Sequence, residues 1–122
     1  MLQDRTAPGE NYERFIREAL AAEKVYGLQD LDGSWAVCPS QRAEGADVIV
    51  LWSSRALAAR HAKEEWATYK VAEIGLEEFV GAWLRGMHED GSLVGPNWDA
   101  NLVGPEVQAV EVAKRLTEDE GG

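Results

Sequence analysis

The chain has 122 residues, 45% of them hydrophobic, enough for one domain with its own core and not for two. Its 22 acidic and 12 basic residues give a net charge of −10, which argues against a nucleic-acid binder, because that affinity comes largely from basic side chains on phosphates. No long apolar run is present to cross a membrane, the start Met1-Leu2-Gln3-Asp4-Arg5 lacks the apolar segment of a secretory signal, and the single cysteine, Cys38, has no internal disulfide partner, so a cytoplasmic location is expected.

In chain order, residues 1–9 read as a flexible lead closed by Pro8-Gly9, and residues 10–122 as a single domain with a frayed C-terminal end. A helix is expected from near Asn11, with Tyr12, Phe15, Ile16, Ala19 and Leu20 as its apolar stripe. Val25 to Leu31 and Ser34 to Cys38 read as a hairpin joined by Asp32-Gly33, a turn pair that tolerates positive φ. Asp47 to Trp52 is a short β-branched apolar run, the pattern of a strand buried on both faces. Ser53 or Ser54 then caps a helix from about Arg55 to about Trp66, with Ala58, Ala62 and Trp66 inward. Its other face, with Arg60, Lys63 and Glu64, reads as solvated surface.

Tyr69 to Ile74 alternates as a strand. Leu76, Phe79, Val80, Trp83, Leu84 and Met87 form one continuous helical stripe, with Glu77 and Glu78 in the first turn and Arg85 near the end, complementing the helix dipole. Ser92 to Pro96 reads as a short strand, Asn97 to Pro105 as a loop, Val107 to Val112 as an edge strand, and Ala113 to Glu120 as a last helix or frayed tail. No internal repeat is apparent. The order α-β-β-β-α-β-α-β-(β)-α predicts an α+β domain, a single mixed, mostly antiparallel sheet with about four helices packed on it.

Several stretches together resemble a known family. They are Tyr26-Gly27-Leu28, Asp32-Gly33 with Trp35-Ala36-Val37-Cys38, Val50-Leu51-Trp52, Glu65-Trp66 with Tyr69-Lys70, Leu76-Glu77-Glu78-Phe79 with Trp83-Leu84, Asp90-Gly91, and Val94-Gly95-Pro96-Asn97. Over about residues 11 to 112 the chain is similar to DUF2750, a small bacterial family of unknown function. That resemblance implies a fold outline and no activity. The layout is also distantly similar to the enhanced serine sensitivity protein B type of domain, but Pro96-Asn97 reverses that domain's Asn-Pro order.

Chemistry-bearing constellations are few. Cys38, His61 and His88 are too few soft ligands for a structural zinc site. Asn97-x-Asp99-x-Asn101 begins like a calcium loop, but Leu102 and Gln108 occupy the positions that need glycine and a bidentate acid. No phosphate-cradling glycine motif occurs, and no cofactor or catalytic residue is expected. A Cys38–His61 dyad has no support in the spacing.

Five tryptophans remain. Trp66 and Trp83 lie on helical stripes and are expected in the core. Trp35 and Trp52, at strand ends, are expected half exposed, and Trp98, between Asn97 and Asp99, at a surface, where tryptophan serves as an interface anchor. The plain alternative is that all five close a small core. The favoured expectation is therefore a non-enzymatic interaction module, such as an immunity protein or inhibitor of a basic protein partner, touching it through Trp35, Trp52, Asn97, Trp98 and Asp99. Two alternatives stand beside it. One is a small-ligand-binding protein or enzyme with a pocket near Trp52, Trp98 and Asp99. The other is a homodimer formed through the Val107 to Val112 edge.

Overall fold

The computed structural model describes residues 8–99 and 101–121. The lead expected over residues 1–9 lies, for residues 1–7, outside the described residues. Helix α1 spans Pro8–Ala22, and strands β1, β2 and β3 span Lys24–Gln29, Val37–Pro39 and Asp47–Leu51. Helix α2, Arg55–Ala59, is followed by a 3-10 turn at Glu64–Trp66 and by β4, Lys70–Gly75. Helix α3, Leu76–Glu78, a π-helical segment, Phe79–Trp83, and α4, Leu84–Asp90, run end to end. Strands β5, Leu93–Pro96, and β6, Val107–Gln108, and helix α5, Ala109–Gly121, complete the chain. Among the described residues no helix is long and apolar enough to cross a membrane.

The fold is α+β, but its strands form two sheets rather than one. β1 pairs antiparallel with β4, and a second, mixed sheet has the order β2-β3-β5-β6. Within it β3 and β5 run parallel, with Val48 opposite Leu93 and Leu51 opposite Pro96. Two isolated bridges, Tyr26 with Trp52 and Gln29 with Trp35, stitch the sheets together. The Asp32-Gly33 turn forms as expected, with Asp30 Oδ1 accepting from the N–H groups of Asp32 and Ser34 at 2.9 and 2.8 Å. Beyond Ala36, whose N–H still donates to Leu28 O at 2.9 Å, the second arm leaves β1 and pairs with β3, and β1 takes its full ladder from β4. Turn chemistry is local and closes the loop, whereas burial of both faces of β3 selects the longer-range partners.

β3 explains where the core lies. Successive strand residues point to opposite faces. Val48, Val50 and Trp52 enter one cluster, with Leu28, Ala36, Ala58, Trp66 and Trp98. Leu51, with Ile49 packed at its margin, enters the other, where α1 contributes Phe15, Ile16 and Ala19 and α5 contributes Ala109, Val112 and Leu116. Because each face meets its own core, the strand reads as an unbroken apolar run.

Three expectations change here. The helix drawn from Arg55 to Trp66 stops at Ala59, and Lys63 is extended at φ −151° and ψ 169°. Trp66 still reaches the core, but from the 3-10 turn. The edge strand drawn from Val107 to Val112 is two residues long. Ala109, Val112 and Leu116 sit at helical spacing and bury against the first core as α5. In the stripe from Leu76 the π-helical segment inserts an extra residue per turn. Leu76, Phe79, Leu84 and Met87 are therefore the buried set, and Val80 and Trp83 lie at its shoulders. Gly91 closes α4 in the left-handed conformation, φ 76°, while Ser92 N–H returns to Met87 O at 2.9 Å.

Candidate functional site

The parallel strands β3 and β5 end side by side, and the segments Trp52-Ser53 and Asn97-Trp98 leave them in the same direction. In open α/β sheets ligands bind in the crevice outside the carboxyl ends of the strands, and here one parallel pair within a mixed sheet offers such an end. A cleft of about 490 Å³ opens at that place. Trp52, Leu57 and Trp98 form its apolar wall, and Arg14 from α1, with Arg60 and Lys63 just beyond α2, contributes cations. Asn11, His61, Asn97 and Asp99 complete the lining.

A buried polar lock holds the wall. Asn97 takes a left-handed conformation, φ 50°, which a short amide side chain tolerates. Its N–H donates to Leu51 O at 2.8 Å. Its Oδ1 accepts from Ser53 N–H at 2.9 Å, and its Nδ2 donates to Ser53 Oγ at 3.0 Å. Ser53 Oγ in turn donates to Glu18 Oε1 at 2.6 Å, and Glu18 Oε2 accepts from Arg14 Nε at 2.8 Å. The ends of β3 and β5 and the middle of α1 are thus tied together. Every polar atom of the Asn97 side chain is used, as burial requires.

The aromatic wall is fixed as firmly. Trp52 is wholly buried and stacks on His61, ring centroids 4.5 Å apart and planes 28° apart. Its Nε1 donates to Trp98 O at 3.2 Å. His61 Nδ1 faces Leu57 O and Nε2 faces Asp99 O, each at 2.9 Å, so a ring N–H on either nitrogen donates to the carbonyl it faces. Trp98 donates from Nε1 to Pro105 O at 2.7 Å. Its indole lies between two glycines. A Cβ on Gly95 would stand 2.8 Å from Trp98 Cε2, and one on Gly104 would overlap Trp98 Cδ1.

Of the residues singled out in the sequence, Trp52, Asn97, Trp98 and Asp99 meet at this cleft. Trp35 does not. It packs edge-on to Trp83 with centroids 4.6 Å apart and covers Gly27, where a Cβ would come within 2.9 Å of its ring. The expected exposures also change. Trp98 is 5% exposed and Trp52 not at all, so neither projects as an anchor, because the glycines and the polar lock draw both rings inward. The calcium-like loop spends its side chains on itself. Asp99 Oδ1 accepts from the N–H groups of Asn101 and Val103 at 2.9 and 3.0 Å, and Asn97 is held by Ser53.

Arg14, Arg60, His61 and Lys63 were not legible as site residues. Arg60 and Lys63 read as helix surface, and only the break after Ala59 brings them to the cleft. One signal was present in the residues. The tripeptide Val-Gly-Pro occurs twice, at Val94-Gly95-Pro96 and Val103-Gly104-Pro105, and its two glycines clasp Trp98.

Other groups offer less chemistry. A second hollow of about 710 Å³ lies beyond Trp98, lined by Cys38, Pro39, Leu102, Val103 and Glu106 among others. Burial, followed by the charge of Glu65, pushes the Cys38 thiol up, the opposite of nucleophile activation. Both Glu106 carboxylate oxygens are already taken, by Ser40 Oγ at 2.6 Å and Gln41 N–H at 2.8 Å. Among the described residues no three His, Cys, Asp or Glu side chains converge as a metal site would require.

The Glu18 lock carries a pH signature. Burial opposes ionisation of Glu18, but hydrogen bonds from Ser53 and Arg14, with the charges of Arg14 and Arg17, outweigh it and hold its carboxyl below 4.5. A carboxyl whose folded pKa is depressed stabilises the fold above its ordinary pKa, and that contribution is lost as pH falls through the folded value. Acid unfolding followed by circular dichroism is expected to be less steep below pH 4.5 in Glu18→Gln than in the wild type. Glu13, lowered chiefly by its hydrogen bond from Arg115, contributes to both curves alike, so their difference reports Glu18. Identical acid limbs would contradict the lock.

The profile of a family described as protein of unknown function (DUF2750) matches residues 12–116, a span that holds every lining residue of the cleft except Asn11. No curated protein matches the chain.

Proposed function

The chain belongs to the DUF2750 family, and from that premise we propose that it is a small-molecule-binding module whose site is the cleft between α1, α2 and the Asn97–Asp99 segment. The observation that carries this reading is the convergence of three cations, two of them in no ion pair among the described residues, with an apolar wall and rigidly held polar groups at the ends of two parallel strands. The cleft falls within the usual size of ligand sites, roughly 300–1,000 Å³. Among its described lining residues no nucleophile stands beside a base. Ser53, whose hydroxyl meets the Glu18 carboxylate behind the wall, is 4% exposed and works as a clamp.

A protein-partner reading, an immunity protein or inhibitor acting on a basic target, keeps the net charge of −10 as its support. It lacks the exposed aromatic anchor it asks for, since Trp52 and Trp98 are buried. The dimer reading asks for a long free edge, and β6 supplies two residues.

A panel of small metabolites screened by thermal shift tests the ligand reading, with Leu57→Trp as the blocked control. Leu57 is half-buried on the cleft wall, so an indole there fills the opening. A compound at 100 times its Kd is expected to stabilise the wild type by about 2.7 kcal/mol and the blocked variant far less. Compounds that stabilise both chains equally bind elsewhere and overturn the assignment.

A further inference from the structure

Resting on that ligand reading, we infer that the cleft takes an oxyanion, a carboxylate or a phosphate monoester, carried on a small apolar body. Charge is segregated here against the trend of the molecule. The chain as a whole carries 22 acidic and 12 basic residues, yet Arg14, Arg60 and Lys63 line this cleft and, among the described lining residues, Asp99 is the only carboxylate.

The state of each charge matters more than the number. Among the described residues, Arg60 and Lys63 enter no ion pair. Arg14 uses Nε on Glu18, and among the described residues its terminal amino groups enter no ion pair. Asp99 turns Oδ1 into its own loop, where two backbone N–H groups hold it. The remaining titratable group, His61, has both ring nitrogens against backbone carbonyls and presents no acceptor to a ligand.

The cations come from two different parts of the chain. Arg14 is on α1, and Arg60 and Lys63 bracket the turn after α2. A ligand oxyanion within reach of them would take charge-assisted hydrogen bonds, which are about twice as strong as neutral ones. Of the uncharged lining residues, Leu57 is half-buried, Trp98 is 5% exposed and Trp52 backs the wall without accessible surface, so the part of the ligand that meets Leu57 and Trp98 must be apolar.

Calorimetric titration in 50 mM NaCl with phenyl phosphate, benzoate, inorganic phosphate and benzyl alcohol tests the inference. Phenyl phosphate or benzoate is expected to bind at least ten-fold more tightly than benzyl alcohol, and the order of the two anions tells phosphate from carboxylate. Inorganic phosphate, lacking the apolar body, is expected to bind more weakly than phenyl phosphate. Arg60→Gln and Lys63→Gln, both at exposed positions, are each expected to weaken the preferred anion roughly ten-fold. Raising NaCl to 500 mM is expected to weaken it several-fold.

Benzyl alcohol binding as tightly as the anions, unchanged affinity in both variants, or no heat from either organic anion overturns the inference. Its failure is separable from failure of the ligand reading. A neutral compound that stabilises the wild type and not Leu57→Trp leaves the cleft as a ligand site and removes only the anion.

Discussion

Replacing Trp52 with alanine is expected to destabilise the fold by about 4 kcal/mol, the largest loss of any single truncation at the site. The indole is wholly buried in the second core, stacked on His61 and hydrogen-bonded to Trp98 O. Its backbone also exchanges two hydrogen bonds with Tyr26, at 2.8 and 2.7 Å, at one of the bridges that join the two sheets. Truncation leaves a cavity the size of an indole where the sheets, α2 and the Asn97–Asp99 segment meet, and none of these can close in without breaking the bridge. A loss of about 4 kcal/mol corresponds to a fall in Tm of about 15 °C for a domain this size. Urea unfolding measures it directly. Leu31→Ala, at a position 87% exposed, is the matched control and is expected to stay within about 0.5 kcal/mol of the wild type. A loss below 1 kcal/mol for Trp52→Ala would contradict the packing described.

A single added methyl group is expected to produce the second large effect. At Gly104 the new Cβ overlaps Trp98 Cδ1, and the indole has no room to yield because Gly95 lies against another part of its ring. Overpacking of this kind costs about 2–3 kcal/mol, and here it also displaces the wall of the cleft. The same change at Gly86, within α4, meets nothing within 4 Å and replaces a glycine by a better helix former. Gly86→Ala is expected to stabilise the protein by about 0.5–1 kcal/mol. Opposite signs for one chemical change, read in the same urea titration, isolate the Trp98 clasp from the general effect of losing a glycine. A neutral Gly104→Ala would mean that Trp98 is free to move.

How much of this was readable from the residues depends on the range over which each signal acts. The α1 stripe and the β3 run were readable because burial of Phe15, Ile16 and Ala19, or of Val48, Val50 and Leu51, imposes a period on neighbouring positions. The stripe of the Leu76 helix was readable too, though with the π-helical segment its buried set narrows to Leu76, Phe79, Leu84 and Met87, leaving Val80 and Trp83 partly buried. Residues 107–112 fit a strand and a helix equally well over six positions, and only Leu116, one turn further on, separates the two. The division into two sheets was hidden because it depends on β1 choosing β4, some forty residues away, over the neighbour its own turn presents.

The candidate site divides in the same way. Asn97, Trp98 and Asp99 stood out because turn residues flank an indole, and Trp52 because it ends the buried strand. Arg60 and Lys63 carried no such mark. A cation on a helix surface and one lining a cleft have the same local sequence, and the difference lies in the extended backbone at Lys63.

The central claim is that ligand binds at the Trp52–Trp98 wall, and the five tryptophan indole N–H signals report it directly. The measurement is a 1H–15N correlation spectrum recorded while a compound that stabilises the wild type in the thermal screen is titrated in. The signals of Trp52 and Trp98 are expected to move together and saturate at the same Kd, while those of Trp35 and Trp83, packed on each other away from the cleft, stay in place. Movement of Trp35 and Trp83 with Trp52 and Trp98 unchanged would place the ligand elsewhere and contradict the account.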